Sequence, residues 1–343
     1  MSFDVIIVGA GPGGLACADV TASKGLKTLV LERKTIVGKK VCAGGVTWNG
    51  LIKKAPIDIL EREFHTQHIL TRSQSISISS PTPIIATVNR VKLGEQMSYK
   101  AQQSGAIIRL GCQVTSITGN VLTFLDKGTG KLEKEKFSYL VGADGSSSFV
   151  RRHLKIPVND IGIGINYQLA ETYPNMEWHL DSTLFSSGYS WVFPHKETVS
   201  IGAYVDARVM KAKTLKENLL KWSEKSGHSL SGYKGQAEYV NFDFQGYQFN
   251  NFFLVGDAAG LASGLTGEGI YPAIVSGENV AKKIVDPQFN PAELKSMIKN
   301  HTRHRRAVSI LGKNKLLSTF LAELVTFCLK KKVINFRAAE MAN

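Results

Sequence analysis

The sequence predicts an α/β protein built on a parallel sheet, with a β-rich insertion and a helical C-terminus. Three observations predict it. Residues 4–32 read as strand, glycine-rich turn, helix and second strand. Residues 161–205 then turn mostly to strand patterns. Finally, Leu254-Val-Gly-Asp-Ala-Ala-Gly260 and Thr266-Gly-Glu-Gly-Ile270 repeat the sequence of buried strand, glycine turn and helix start. At 343 residues and 43% hydrophobic composition, the chain can bury a sizeable core and fits two interlocked domains.

In order, residues 4–8 are a short apolar strand, 13–24 a helix and 28–32 a second strand. This βαβ start sets a parallel sheet. Residues 34–50 are a loop rich in Gly and Lys. Residues 66–80 alternate weakly through Ile69, Ile76 and Ile78, which predicts strands ended by Pro81 and Pro83. Residues 91–105 are helical and 106–110 return to the sheet. Lys127-Gly-Thr-Gly130 is a hairpin turn, and residues 139–143 form a strand ending at Asp144-Gly145. Strands are predicted over 161–169, 177–185, 189–193 and 199–205, with His195 in the solvent-exposed turn between the last two. Residues 211–225 are an amphipathic helix, and 239–244 a strand leading back to Leu254. This ordering predicts a discontinuous cofactor domain (1–65, 90–158 and 250–290), a substrate domain (66–89 and 159–249) and a basic helical tail (291–343).

The net charge is +14, and residues 301–343 carry +7 of it. That tail points to an anionic partner, and no nucleic-acid-binding motif accompanies it, so no nucleic acid is expected. Within it, Leu316–Leu329 is too short for a typical span. Two readings stay open: a helix lying on an anionic membrane surface, or one packed on the domain. No signal-peptide pattern opens the sequence. The four cysteines form no CxxC pair and no histidine cluster suggests a metal. A cytoplasmic protein, peripheral at the membrane in the first reading of the tail, is the expectation.

Gly9, Gly11 and Gly14 form G-x-G-x-x-G between a strand and a helix, with Pro12 and Gly13 inside the turn. Glu32 ends the next strand eighteen residues after Gly14, followed by Arg33. The first glycine permits the tight turn and the second a close approach to pyrophosphate. The third permits helix–strand packing, and the acid accepts from a ribose hydroxyl. An acid there disfavours a 2′-phosphate, leaving FAD or NAD. A second glycine-rich helix start about 250 residues on suggests one large cofactor gripped from two places, which favours FAD. The first domain is therefore expected to be a Rossmann-like FAD-binding domain.

Five motifs together resemble the FAD-dependent geranylgeranyl reductase family, within the aromatic-hydroxylase-like flavoproteins, over roughly residues 1–285. They are the fingerprint, Lys40-Val-Cys-Ala-Gly-Gly45, Gly142-Ala-Asp-Gly-Ser-Ser-Ser148, Gly188-Tyr-Ser-Trp-Val-Phe-Pro194, and the 254–270 segment. The sequence departs from the family at Gly264, where proline is common, and in the Ala-Gly-Gly that follows Cys42. The resemblance implies that Asp257 holds the ribityl or pyrophosphate region. It implies that the Gly267–Ile270 turn presents the backbone N–H groups of Gly269 and Ile270 to the flavin pyrimidine. By the same resemblance Cys42, Ala43 and Gly45 line the ring, Arg90 reaches the diphosphate and Val114 lies near the adenine. Tyr189, Trp191, Phe193 and Pro194 would form a lipid pocket, with Trp178 a weaker candidate. Asp144 is a structural cap or a nicotinamide contact. Cys42 is either a catalytic thiol beside the flavin or a packed one, and the alternating aromatics are otherwise an ordinary core face. The implied reaction is reduction of prenyl C=C bonds, with an external donor, NAD(P)H or reduced ferredoxin. The alternative is an FAD-dependent monooxygenase acting on an aromatic or lipid substrate.

Overall fold

The computed structural model describes residues 2–52, 54, 59–312 and 314–342. In chain order its first elements are β1 (Ser2–Val8), α1 (Pro12–Ser23), β2 (Thr28–Glu32), β3 (Gly45–Thr47), α2 (Trp48–Ile52), β4 (Leu60–Phe64), β5 (Thr66–Leu70), β6 (Ser75–Ser79) and β7 (Ile85–Val88). Next come α3 (Arg90–Gln103), β8 (Ile107–Leu110), β9 (Cys112–Thr118), β10 (Val121–Asp126), β11 (Leu132–Gly142), α4 (Phe149–His153), β12 (Ile161–Leu169), β13 (Glu177–His179), α5 (Ser182–Phe185), β14 (Tyr189–Pro194) and β15 (Val199–Asp206). After these come α6 (Ala212–Lys225), β16 (Gln236–Asn241), β17 (Gln248–Phe249), β18 (Phe252–Leu254), α7 (Gly256–Ala259), α8 (Ile270–Val285), α9 (Ala292–Leu311), α10 (Lys315–Lys330) and a 3₁₀ turn (Phe336–Ala339).

The α/β class holds. One sheet runs β17-β18-β11-β1-β2-β8, with β10 and β9 continuing from β11. Its centre is parallel: β1 pairs with β2 and β11, β2 with β8, and β11 with β18. Strand β1 is buried on both sides, as a parallel core strand must be. Ile6 and Val8 belong to one apolar cluster and Val5 and Ile7 to the other. A second sheet, β16-β12-β15-β14-β13-β5-β6, joins stretches far apart in sequence. One face of it packs on α6 through Val192, Ile201 and Leu219, and the other carries Trp191 and Phe193. A small antiparallel sheet, β3-β7-β4, is interrupted in the chain by β5 and β6 of the second sheet.

Helices α1 and α8 bring the two glycine-rich turns together. They cross where side chains are missing: a Cβ at Gly277 would lie 2.1 Å from the Gly13 carbonyl oxygen, and one at Gly13 would lie 2.9 Å from that of Ala273. Any larger residue would force the helices apart and separate the two turns.

Three local expectations are corrected. Residues 34–50 are not all loop, since β3 and the start of α2 lie there, the first pairing with β7. Residues 177–185 do not form one strand. Asp181 accepts a hydrogen bond from the Thr183 N–H and caps α5, so the extended chain ends at His179. The strand expected over 239–244 lies at Gln236–Asn241, where its register against β12 is fixed.

Candidate functional site: a glycine cradle joined to an aromatic wall

A single cavity of about 420 Å³ is lined by every residue put forward from the sequence except Gly14 and Pro194. Gly14 lies behind it, against β1: a Cβ there would stand 2.0 Å from the Gly9 carbonyl oxygen. Pro194 ends β14, and its carbonyl accepts from the Thr87 hydroxyl at 2.9 Å.

At the cradle, Gly9 has φ of +105°, a conformation that a side chain disfavours. Gly11 is different. Its φ is −76°, and an added Cβ would meet nothing closer than 3.8 Å. No protein contact demands glycine there, so the missing side chain keeps space in the cavity itself. The Glu32 carboxylate accepts from the Ala10 N–H at 2.8 Å and the Lys34 N–H at 2.9 Å, which holds it at the cavity edge. Arg90 opens α3, whose N-cap Asn89 accepts from the Val91 and Lys92 N–H groups. The Arg90 Nε and Nη1 are buried and have no hydrogen-bond partner among the described residues. A buried guanidinium without an acceptor is costly. A diphosphate such as that of FAD would supply the acceptor these atoms lack, so the residues present fit the cofactor.

Asp257 carries two partners that the sequence did not reveal. Lys40 Nζ lies 2.8 Å from its Oδ2 and the Ser146 hydroxyl donates to the same oxygen at 3.0 Å. Burial lowers the Lys40 pKa, but the adjacent carboxylate outweighs it and holds the ammonium above its usual range. Asp144 accepts from the Phe149 and Val150 N–H groups at 2.6 and 3.2 Å, which is the geometry of a cap at the start of α4.

At the other end, Tyr189, Trp191 and Phe193 share one face of β14, with neighbouring ring centroids 6.0 Å apart. Trp178 on β13 packs 5.8 Å from Tyr189, and Phe336 packs 5.3 Å from Trp178. Trp191 donates through Nε1 to Ser200, whereas the buried Trp178 Nε1 and Tyr204 hydroxyl have no hydrogen-bond partner among the described residues. The Tyr189 hydroxyl donates to the Thr266 carbonyl and ties the aromatic strand to the Gly267–Ile270 turn. The Cys42 loop is tied to the same strand, because a Cβ at Gly45 would lie 2.6 Å from the Phe193 ring.

His195 is a correction. It is 7% exposed rather than in solvent. Its backbone N–H closes the turn onto the Thr198 carbonyl, which swings the ring inward. Nδ1 meets the Glu61 carboxylate and Nε2 lies 3.0 Å from the Ala43 carbonyl, so this histidine buttresses the Cys42 loop. Glu268 was also missed as a site residue. Its carboxylate lines the cavity, with the Thr47 hydroxyl at 3.1 Å and the Met341 N–H at 3.2 Å. Burial pushes its pKa up to about 7, against the pull of those two donors. No signal in the local sequence pairs Glu61 with His195 or Lys40 with Asp257; those contacts span 134 and 217 residues.

The chain is similar to known proteins along most of its length. Residues 1–93 match the Thi4 family. An uncharacterised protein of Methanosarcina barkeri is 32% identical over 294 residues, covering 82% of this chain and 74% of that one. Digeranylgeranylglycerophospholipid reductase 3 of Methanosphaera stadtmanae is 26% identical, covering 85% and 80%. The crystal structure of a geranylgeranyl bacteriochlorophyll reductase-like protein from Thermoplasma acidophilum superposes with a TM-score of 0.84 at 22% identity, over 99% of this chain and 95% of that one. With cradle, Cys42 loop and aromatic wall on one cavity, and relatives matching along most of its length, the chain belongs to the geranylgeranyl reductase family of FAD-dependent flavoproteins.

Proposed function

We propose that the protein reduces carbon–carbon double bonds of a geranylgeranyl or related prenyl chain. The observation that carries this reading is the continuity of the glycine cradle with an aromatic wall inside one cavity. FAD, when bound, supplies hydride to one alkene carbon. The chain's own residues do the rest. Arg90, Glu32 and the Gly9–Gly14 turn hold the dinucleotide, with Asp257 and Lys40 beside it. The N–H groups of Gly269 and Ile270 at the start of α8, with the positive end of its dipole, would stabilise negative charge on a reduced ring. Trp178, Tyr189, Trp191 and Phe193 orient an apolar chain and exclude water. An isolated alkene is a poor electrophile, so a proton must reach the neighbouring carbon together with the hydride. Cys42, Tyr204 and Glu268 line the cavity and are the side chains from which we derive that proton, directly or through a water.

We assign the reducing equivalents to an external donor, NAD(P)H or reduced ferredoxin, and the protein to a peripheral position on an anionic membrane. Residues 1–65, 90–158 and 250–290 serve as the cofactor domain in this reading, and 66–89 with 159–249 as the substrate domain. Among the described residues no helix is long and apolar enough to cross a membrane.

Anaerobic incubation of the reduced enzyme with a geranylgeranyl lipid tests the proposal by product mass. A gain of two mass units per double bond is expected. Product that forms only with O₂, heavier by sixteen, would overturn it in favour of hydroxylation.

A further inference from the structure

Helix α10 is built inside out. Leu316, Phe320, Leu324 and Phe327 follow the spacing of one helical face, and all are exposed, Leu316 by 80% and Phe320 by 63%. Beyond the helix Val333 is 71% exposed. The opposite face packs inward through small polar residues and Leu329. Ser318 and Thr326 are buried, and Thr319 shares a 2.6 Å hydrogen bond with Ser182. Glu323, the only acid on the helix, turns its carboxylate to the Thr71 hydroxyl, the Ser73 N–H and the Gln74 amide. The outward face therefore carries no negative charge. At its C-terminal end stand Lys330, Lys331 and Lys332, all exposed.

From this arrangement we propose that α10 docks flat on an anionic lipid bilayer, with Leu316, Phe320, Leu324 and Phe327 in the acyl boundary and Lys330–Lys332 at the headgroups. Charge complementarity selects the bilayer. A sixteen-residue helix is about 24 Å long, so it lies on the surface rather than crossing it. Its apolar side chains enter the headgroup boundary while the lysines reach anionic phosphates. The placement also suits the cavity. Leu329 and Phe336 pack on the cluster that contains Trp191 and Phe193, so the aromatic end of the cavity lies next to the docking helix. This deepens the peripheral placement proposed above and rests on it, but not on the reaction.

Co-sedimentation of the full chain with vesicles tests it without any turnover. Vesicles of phosphatidylglycerol and phosphatidylcholine at low salt are expected to capture the protein, and pure phosphatidylcholine to capture much less. Replacing Lys330, Lys331 and Lys332 by Gln should weaken binding on the order of 100-fold, at about a fivefold factor per lysine. Replacing Leu316, Phe320 and Leu324 by Ser should abolish it while leaving the circular dichroism and FAD titration of the protein unchanged. A Phe320→Trp variant should show a blue shift on anionic vesicles. Equal capture of the Ser variant and the parent would overturn the proposal. So would failure of the parent to bind, or light scattering that shows the face buried between two copies of the chain. Any of these results would leave double-bond reduction in detergent intact, so the two readings fail separately.

Discussion

Arg90 enters the cavity with Nε and Nη1 buried and unpartnered among the described residues, and this makes it a direct probe of the anion it awaits. Charge-assisted hydrogen bonds of this kind contribute about 1.5–3 kcal/mol. Arg90→Ala is therefore expected to weaken FAD binding by about 10–100-fold, read by flavin fluorescence titration, without a fall in the melting temperature of the flavin-free protein. Glu268 gives a different signature. Its folded-state pKa of about 7 lies above the ordinary glutamate value, so the folded protein holds this proton more tightly than the unfolded chain. The associated stability is present in full below the ordinary value. It is lost as pH rises towards and through 7, because over that window the folded state binds more protons. Denaturant titrations of the flavin-free protein should show this decline between about pH 4.5 and 7, and Glu268→Gln should flatten it. An unchanged slope in the variant would mean that Glu268 is not the group responsible. Arg90 was put forward by the family resemblance, just before a predicted helix. Glu268 was not, since its environment is made by Thr47 and by Met341, a residue from the far end of the chain.

At the scale of elements, the turn between β1 and α1 separates two uses of glycine that a sequence motif runs together. Gly14 serves packing, and its added Cβ would stand 2.0 Å from the Gly9 carbonyl oxygen. Gly11 serves the cavity, with nothing closer than 3.8 Å. Gly14→Ala is expected to cost about 1–3 kcal/mol even without flavin, seen as a lowered thermal midpoint. Gly11→Ala should leave that midpoint in place and lower FAD affinity instead. If both variants lose stability alike, the assignment is wrong. Elements such as β1, α1, β12 and α8 were legible because an apolar run or a glycine-rich start marks each of them in the sequence. The misread ones are short and set by a local cap or a distant partner. Strand β3 exists because β7 pairs with it, and α5 because Asp181 ends the extended chain. The inward turn of His195 is of the same kind, since Pro194 and His195 look like an exposed turn until Glu61 and Ala43 are placed around them.

Over the whole molecule, the cavity is enclosed by residues from Val8 to Glu340, and each of the three sheets contributes to its walls. Bound FAD is then coupled to the entire fold. At a free concentration a hundred times the dissociation constant it should add about 2.7 kcal/mol of stability. Calorimetry is expected to show one transition moving upward with FAD; a transition that split, with only part responding, would show that the cofactor grips a subset of the chain. The parallel centre of the first sheet was visible in the sequence, as were both glycine turns. That both turns serve one site was expected from the sequence; the α1–α8 crossing that joins them was not, because it depends on Gly13 and Gly277, which have no side chain to advertise a contact.

The stacking of Phe336 on Trp178 has a consequence for how the protein matures and ages. The aromatic end is completed only once Phe336 has been made, after both glycine turns have left the ribosome. A nascent chain thus holds both glycine turns before it holds the residue that finishes the aromatic wall. A protease that clips the last turn of the tail would return the protein to that earlier condition, still coloured by flavin but open where its substrate should be sealed in.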